Sequence, residues 1–172
     1  MILQLVDGTD SILTKTIEAF DFKKPSTDPI QLAKDLYETM MEYSALGLAA
    51  PQVGIPARAF AIRTVPGIVC FNPRIVDQST LSIMLEEGCL SFPNWFIKIR
   101  RPKTIKVRYQ EPNSTFITRV FEGLTARCFM HELDHLNGVL YQQHANRVHI
   151  DQAMRRKKEL DRSSKRVIVK EK

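Results

Sequence analysis

The chain has 172 residues, a formal net charge of +6, 44% hydrophobic and 26% charged side chains, a composition that suits one globular domain with a real core. No apolar run approaches the roughly 20 residues needed to cross a bilayer, and the early Asp7 and Asp10 argue against a secretory or organelle-targeting leader. The charge is uneven: residues 151–172 hold nine basic and four acidic side chains, +5 of the total +6. Three cysteines without framework spacing, Cys70, Cys89 and Cys128, fit a reducing compartment.

The first 25 residues lack strong periodicity, although Ser11-Ile12-Leu13 with Ile17 and Phe20 forms a short segment able to dock. A helix follows, with Asp28 as N-cap, Pro29 at the first helical position, and Leu32, Ala33, Leu36, Tyr37 and Met40 at helical spacing. Its end is expected near Ala45-Leu46-Gly47. GLAAPQVGIP, from Gly47 to Pro56, is punctuated by two glycines and two prolines and is expected to be mostly irregular. Its simplest reading is a turn into the next strand, although small residues around one polar side chain, Gln52, also let backbone approach another group closely.

Strand-like runs then cover 57–63, 68–71 and 74–76, broken by Pro66-Gly67 and Asn72-Pro73. The apolar run 81–85 precedes Glu86-Glu87-Gly88-Cys89-Leu90-Ser91, whose glycine and carboxylates look unlike a core strand. Ile105, Val107 and Tyr109 alternate with polar residues, Pro112-Asn113-Ser114 turns the chain, and 115–121 returns, which predicts a hairpin with one half-buried face. Residues 139–141 read as extended, and from Ile150 the pattern is helical with a thin apolar stripe. The expected fold is one α+β domain of short, mostly antiparallel strands around a central metal-binding helix, with an N-terminal helix and a C-terminal basic helix. Residues 1–150 form its main body and 151–172 its basic end.

The central helix carries His131-Glu132-Leu133-Asp134-His135. Histidines four apart share one helix face and can present two imidazoles to a single metal, while Glu132 lies where a carboxylate reaches a metal-bound water without being a ligand. A third ligand is needed. Cys89 is the good candidate, because a thiolate and two imidazoles leave a coordination position open. A lone cysteine is otherwise a small buried hydrophobe, the reading that suits Cys70 and Cys128, and spacing alone does not pair Cys89 with a helix forty residues downstream. Arg101 either pairs with Glu87 or Asp134 to fix the ligand segment or is a solvated surface arginine. His144 and His149 read as surface histidines.

GLAAPQVG at 47–54, EGCLS at 87–91 and HELDH at 131–135 resemble, in order and approximate spacing, the three signature motifs of peptide deformylases, over a stretch from about Asp10 to Tyr141. The resemblance implies removal of the formyl group from N-terminal formyl-methionine of nascent polypeptides by a monomeric cytoplasmic enzyme. It implies Cys89, His131 and His135 as ligands of Fe²⁺, replaceable by Zn²⁺, Ni²⁺ or Co²⁺, and Glu132 as general base and acid. Gln52 and the Leu90 N–H would stabilise the oxyanion. Leu46, Leu85, Leu124, Arg127 and Cys128 would line the methionine pocket, with Gly47 and Gly88 beside the bound chain. Two positions depart from the family pattern: Ala45 stands where glycine is usual, and Met130 where glutamine is. The basic end is either a ribosomal RNA contact or a solvated tail. Two rival readings are a zinc peptidase taking a third ligand downstream and an inactive deformylase-like ribosome-binding module.

Overall fold

The computed structural model describes residues 1–170, with side chains described as far as Ser163. Helix α1 (Pro29–Glu42) begins as its sequence predicts, with the Asp28 carboxylate accepting from the Ile30 N–H. It ends at Glu42, three residues before the expected stop, because Tyr43 caps it and Ser44 takes a positive φ of 52°. Strands β1 (Gly47–Ala49), β2 (Ala59–Ile62), β3 (Ile68–Gln78), β6 (Thr104–Gln110) and β7 (Phe116–Glu122) form a five-stranded antiparallel sheet in the order β1-β2-β3-β6-β7. β4 (Ser82–Cys89) and β5 (Phe92–Pro102) form a separate antiparallel pair. Helix α2 (Gly123–Leu136) follows β7, and α3 (Arg147–Lys170) closes the described chain.

Alternation along β2 explains why all four of its residues are buried. Phe60 and Ile62 point to one face, against α2, where Phe60 meets Phe129 edge-on at 5.0 Å. Ala59 and Ala61 point to the other, against Leu36 and Met40 of α1. The sheet is thus held between two helices. On β6, Ile105, Val107 and Tyr109 all face α2 as the hairpin pattern predicts, and each is essentially inaccessible. Full burial of side chains of this size contributes about 1.5–3 kcal/mol each. The early docked segment is also real: Leu13, Ile17 and Phe20 are buried.

Three expectations need correction. The runs 68–71 and 74–76 are one strand, β3, with a register shift between Phe71 and Arg74. Pro73, which has no N–H, falls at that bulge, and Asn72 takes φ 48° there. Its side chain bonds the Phe20 N–H and carbonyl and the Gln110 amide. Second, the stretch from Gly47 is not wholly irregular, because Gly47–Ala49 pairs with β2 and forms the sheet edge. Third, Glu86–Cys89 belongs to strand β4, and its partner β5 went unpredicted because Pro93 and Asn94 mask it. Beyond them Ile97, Ile99 and Arg101 alternate inward, all buried.

Residues 139–140 carry no regular structure, and Tyr141–His144 is a 3-10 turn. Helix α3 begins at Arg147, so the position-150 boundary falls inside it, and Ala153 packs on Ile97 and Ile99 of β5. Of the basic residues assigned to the C-terminal end, Lys172 lies outside the described residues, and Lys165, Arg166 and Lys170 lie beyond the last described side chain. No helix among the described residues is long and apolar enough to cross a membrane.

Candidate metal centre

Helical spacing brings the His131 and His135 rings to 5.2 Å, and the end of β4 places Cys89 beside them. Cys89 Sγ lies 3.3 Å from His135 Nε2, and one donor atom from each of the three residues falls within 4.8 Å of the others. It is the one such cluster among the described residues. Neither His144 nor His149 joins it.

Glu87 orients the set. It is buried and accepts from Arg101 Nε at 2.6 Å and Nη2 at 2.9 Å, from Arg127 Nη1 at 2.6 Å, and from His131 Nδ1 at 3.0 Å. Burial raises its pKa, but the Arg101 and His131 contacts outweigh that and bring it down to about 2, so Glu87 is ionised. An ionised carboxylate only accepts. The His131 bond therefore has its proton on Nδ1, so Nε2 is the ring nitrogen left for a ligand, which would bind there in place of a proton. Arg101 also reaches Asp134 Oδ2 at 2.8 Å, so it pairs with both of its suggested partners and is buried.

The two histidines are shifted in opposite directions. Burial opposes charge on His131, yet hydrogen bonds with Cys89 and Glu87 raise its pKa to about 10. His135 goes the other way: burial and then the His131 charge lower it to about 3, so its imidazole is neutral. One donor site that attracts positive charge, a neutral imidazole and a sulfur donor suit a borderline-soft divalent ion better than Mg²⁺ or Ca²⁺. The residues fit a metal.

Glu132 lies beside the cluster, buried, and its Oε2 has no hydrogen-bond partner among the described residues. Burial, then the charges of Glu87 and Asp134 against the opposing His131, raise it to about 7. Gln52 is buried, and its Oε1 accepts from the Ala49 N–H at 2.9 Å. Its Nε2 therefore points inward, 3.4 Å from Cys89 Sγ and 3.2 Å from Ser91 Oγ. Leu90 follows Cys89 in the tight β4–β5 connection.

A pocket of about 100 Å³ opens next to Glu132 and His131, and Leu46, Gly47, Gly88, Leu124, Arg127 and Cys128 are in its wall. Leu85 is not: it lies two strand residues, roughly 7 Å, beyond Glu87 and is 42% exposed. Arg127 turns its guanidinium away to Glu87 and to the carbonyls of Ile99 and Ile83. Met130 is only 5% exposed and packs in the core between α2 and the sheet. Ala45 is half-buried, and its N–H caps α1 on the Met40 carbonyl at 3.0 Å.

The polypeptide deformylase family model matches residues 2–150. The chain belongs to the polypeptide deformylase family. A peptide deformylase of Wolbachia from Culex pipiens is 37% identical over 168 residues, covering 89% of this chain and 92% of the relative. That of Thermotoga petrophila is 49% identical over 106 residues, covering 61% of this chain, and there the chain spans 65% of the relative's length. Among solved deformylases, the Legionella pneumophila structure superposes with a TM-score of 0.83 at 29% identity, covering 96% of this chain and 99% of the other. The Thermotoga maritima deformylase gives 0.80 at 35% identity, covering 85% and 99%. The deformylase fold thus accounts for the mixed architecture, and family membership together with the Cys/His/His cluster implies a divalent metal.

Sequence reasoning missed Glu87 as the partner of His131, Ser91 beside Gln52, and Tyr141, whose ring lies 5.4 Å from that of His131. Only Glu87 had a local signal, its place two residues before Cys89, although the β4–β5 register shifts between the two.

Proposed function

We propose that this chain hydrolyses the formyl group from the N-terminal formyl-methionine of nascent polypeptides, releasing formate. The observation that carries the reading is the convergence of Cys89, His131 and His135 beside the buried Glu132, whose Oε2 has no hydrogen-bond partner among the described residues, at the open edge of a sheet. Cys89, His131 and His135 would hold the metal, natively Fe²⁺ with Zn²⁺, Ni²⁺ or Co²⁺ as replacements. When bound, the ion polarises the formyl carbonyl and acidifies water.

The substrate backbone adds as a strand along the free edge of β1, which reads main chain rather than side chains. The methionine side chain fills the pocket bounded by Leu46, Leu124 and Cys128, where its flexible thioether suits an irregular apolar slot. Glu132 takes a proton from the attacking water and delivers one to the departing amine, a task that a carboxyl poised near pH 7 performs well. Gln52 Nε2 and the Leu90 N–H donate to the oxygen that gains charge. Gln52 is already aimed by its bond from Ala49, so little reorganisation is needed. Residues 1–150 carry this chemistry in a cytoplasmic monomer, and the +5 charge of residues 151–172 supports a contact of that basic end with the ribosome.

Gly47 has a specific reason to be glycine. A Cβ there would lie 2.8 Å from Cys128 Sγ and closer still to a Glu132 carboxylate oxygen. Gly47→Ala should displace Glu132 and lower kcat by roughly 10²-fold, with metal content unchanged. Steady-state kinetics with metal analysis checks this, and parent-like kcat would show that the carboxylate tolerates the shift.

The function itself is tested with a formyl-methionyl tripeptide and iron-loaded protein. Formate and the free-amine peptide should appear in equal amounts, and the unformylated peptide should be left intact. Cleavage of an internal peptide bond without formate would sink the proposal and favour a peptidase.

A further inference from the structure

The 3-10 turn Tyr141–His144 touches the candidate metal centre at both ends. At one end the Tyr141 ring lies 5.4 Å from that of His131, and its hydroxyl donates to the Trp95 carbonyl at 2.5 Å. At the other, His144 Nε2 lies 2.8 Å from Asp134 Oδ2, the same oxygen that receives Arg101 Nη1 at 2.8 Å. Arg101 then grips both oxygens of Glu87, and Glu87 Oε2 receives His131 Nδ1. Four side chains therefore lead without a gap from His144 to a ligand-bearing imidazole. Glu87 and Arg101 are buried, whereas the His144 side chain is 38% exposed.

We infer that His144 is a positioning residue for the metal centre, acting through Asp134 and Arg101 to hold Glu87 on His131. The inference rests on the reading of Cys89, His131 and His135 as ligands. Asp134 is a carboxylate and accepts only, so His144 donates to it. The donated bond fixes the Asp134 rotamer and, through the rigid guanidinium fork, the plane of the Glu87 carboxylate. Partners that orient metal-bound histidines typically govern affinity by 10- to 100-fold. His144 stands further out, so its share is smaller, about 3- to 10-fold on the scale of those effects. Its contribution to global stability, as a partly exposed pair, is near the bottom of what such pairs supply. Metal retention and melting temperature therefore respond differently, and that difference identifies a positioning role.

The test compares Co²⁺-loaded parent, His144→Ala and His144→Gln full-length chains, following chelator-driven cobalt release and the visible cobalt spectrum. His144→Ala should release cobalt about 3- to 10-fold faster with an altered spectrum and a melting temperature close to the parent's. Glutamine retains an N–H donor, so His144→Gln should restore the parent rate and spectrum. Parent-like release from His144→Ala overturns the inference, as does equal acceleration in both variants, which would make the imidazole mere packing. A parent that takes up no cobalt contradicts the metal-site reading instead, and this inference falls with it.

Discussion

Replacing Glu87 by alanine is expected to destabilise the protein by about 3–5 kcal/mol, the cost of breaking a buried ion network by removing one partner. Arg101 and Arg127 are both buried, and both direct guanidinium nitrogens at this one carboxylate. Without it two cations stay in the interior, with Asp134 and backbone carbonyls as their remaining acceptors. The same change removes the acceptor that fixes the His131 tautomer, so metal affinity should fall by roughly 10- to 100-fold. Denaturant titration of the metal-free protein isolates the first effect, and competition with a chelator measures the second. A stability loss below about 1 kcal/mol, the range of an exposed pair, would mean that the arginines find solvent when Glu87 is gone.

Cys89→Ala is expected to bring metal content close to zero and to abolish formate release, while leaving the fold intact. Cys89 is half-buried at the end of β4, and truncation there deletes one sulfur without opening the core. Two imidazoles four residues apart then remain, and among the described residues no other His, Cys, Asp or Glu joins them in a cluster. A peptidase taking its third ligand downstream makes the opposite prediction, since Cys89 would be a bystander and the metal would stay. Metal analysis of the purified variant, alongside a far-ultraviolet spectrum to establish folding, separates the two. Retained metal at parent stoichiometry would remove Cys89 from the ligand set.

The parts of this protein legible before folding are those whose chemistry is local. HELDH needs only helical spacing, and α1 needs only Asp28, Pro29 and an apolar stripe, so both could be read directly. The β6–β7 hairpin is legible because Ile105, Val107 and Tyr109 alternate without interruption. Strand β5 is not, because Pro93 and Asn94 sit where a strand signal should begin. β1 has only three residues, too few for any periodicity, although its free edge is what the proposed substrate pairing uses. The Glu87 network was half visible. Arg101 was a candidate partner, but Arg127 and His131 lie 40 and 44 residues from Glu87, and no local period encodes such a pairing. Met130 illustrates the converse: expected to stand out beside the first histidine, it packs among core side chains in this fold.

The most direct measurement is formate release by anaerobically purified, iron-loaded protein compared with Glu132→Gln at matched metal content. The substituted amide keeps the shape of the side chain and removes its ability to take a proton. The parent should release formate from a formyl-methionyl peptide, and the variant should bind iron equally while losing roughly 10²- to 10⁴-fold in rate. No formate from folded, iron-loaded parent, or parent-like turnover by Glu132→Gln, would contradict the account.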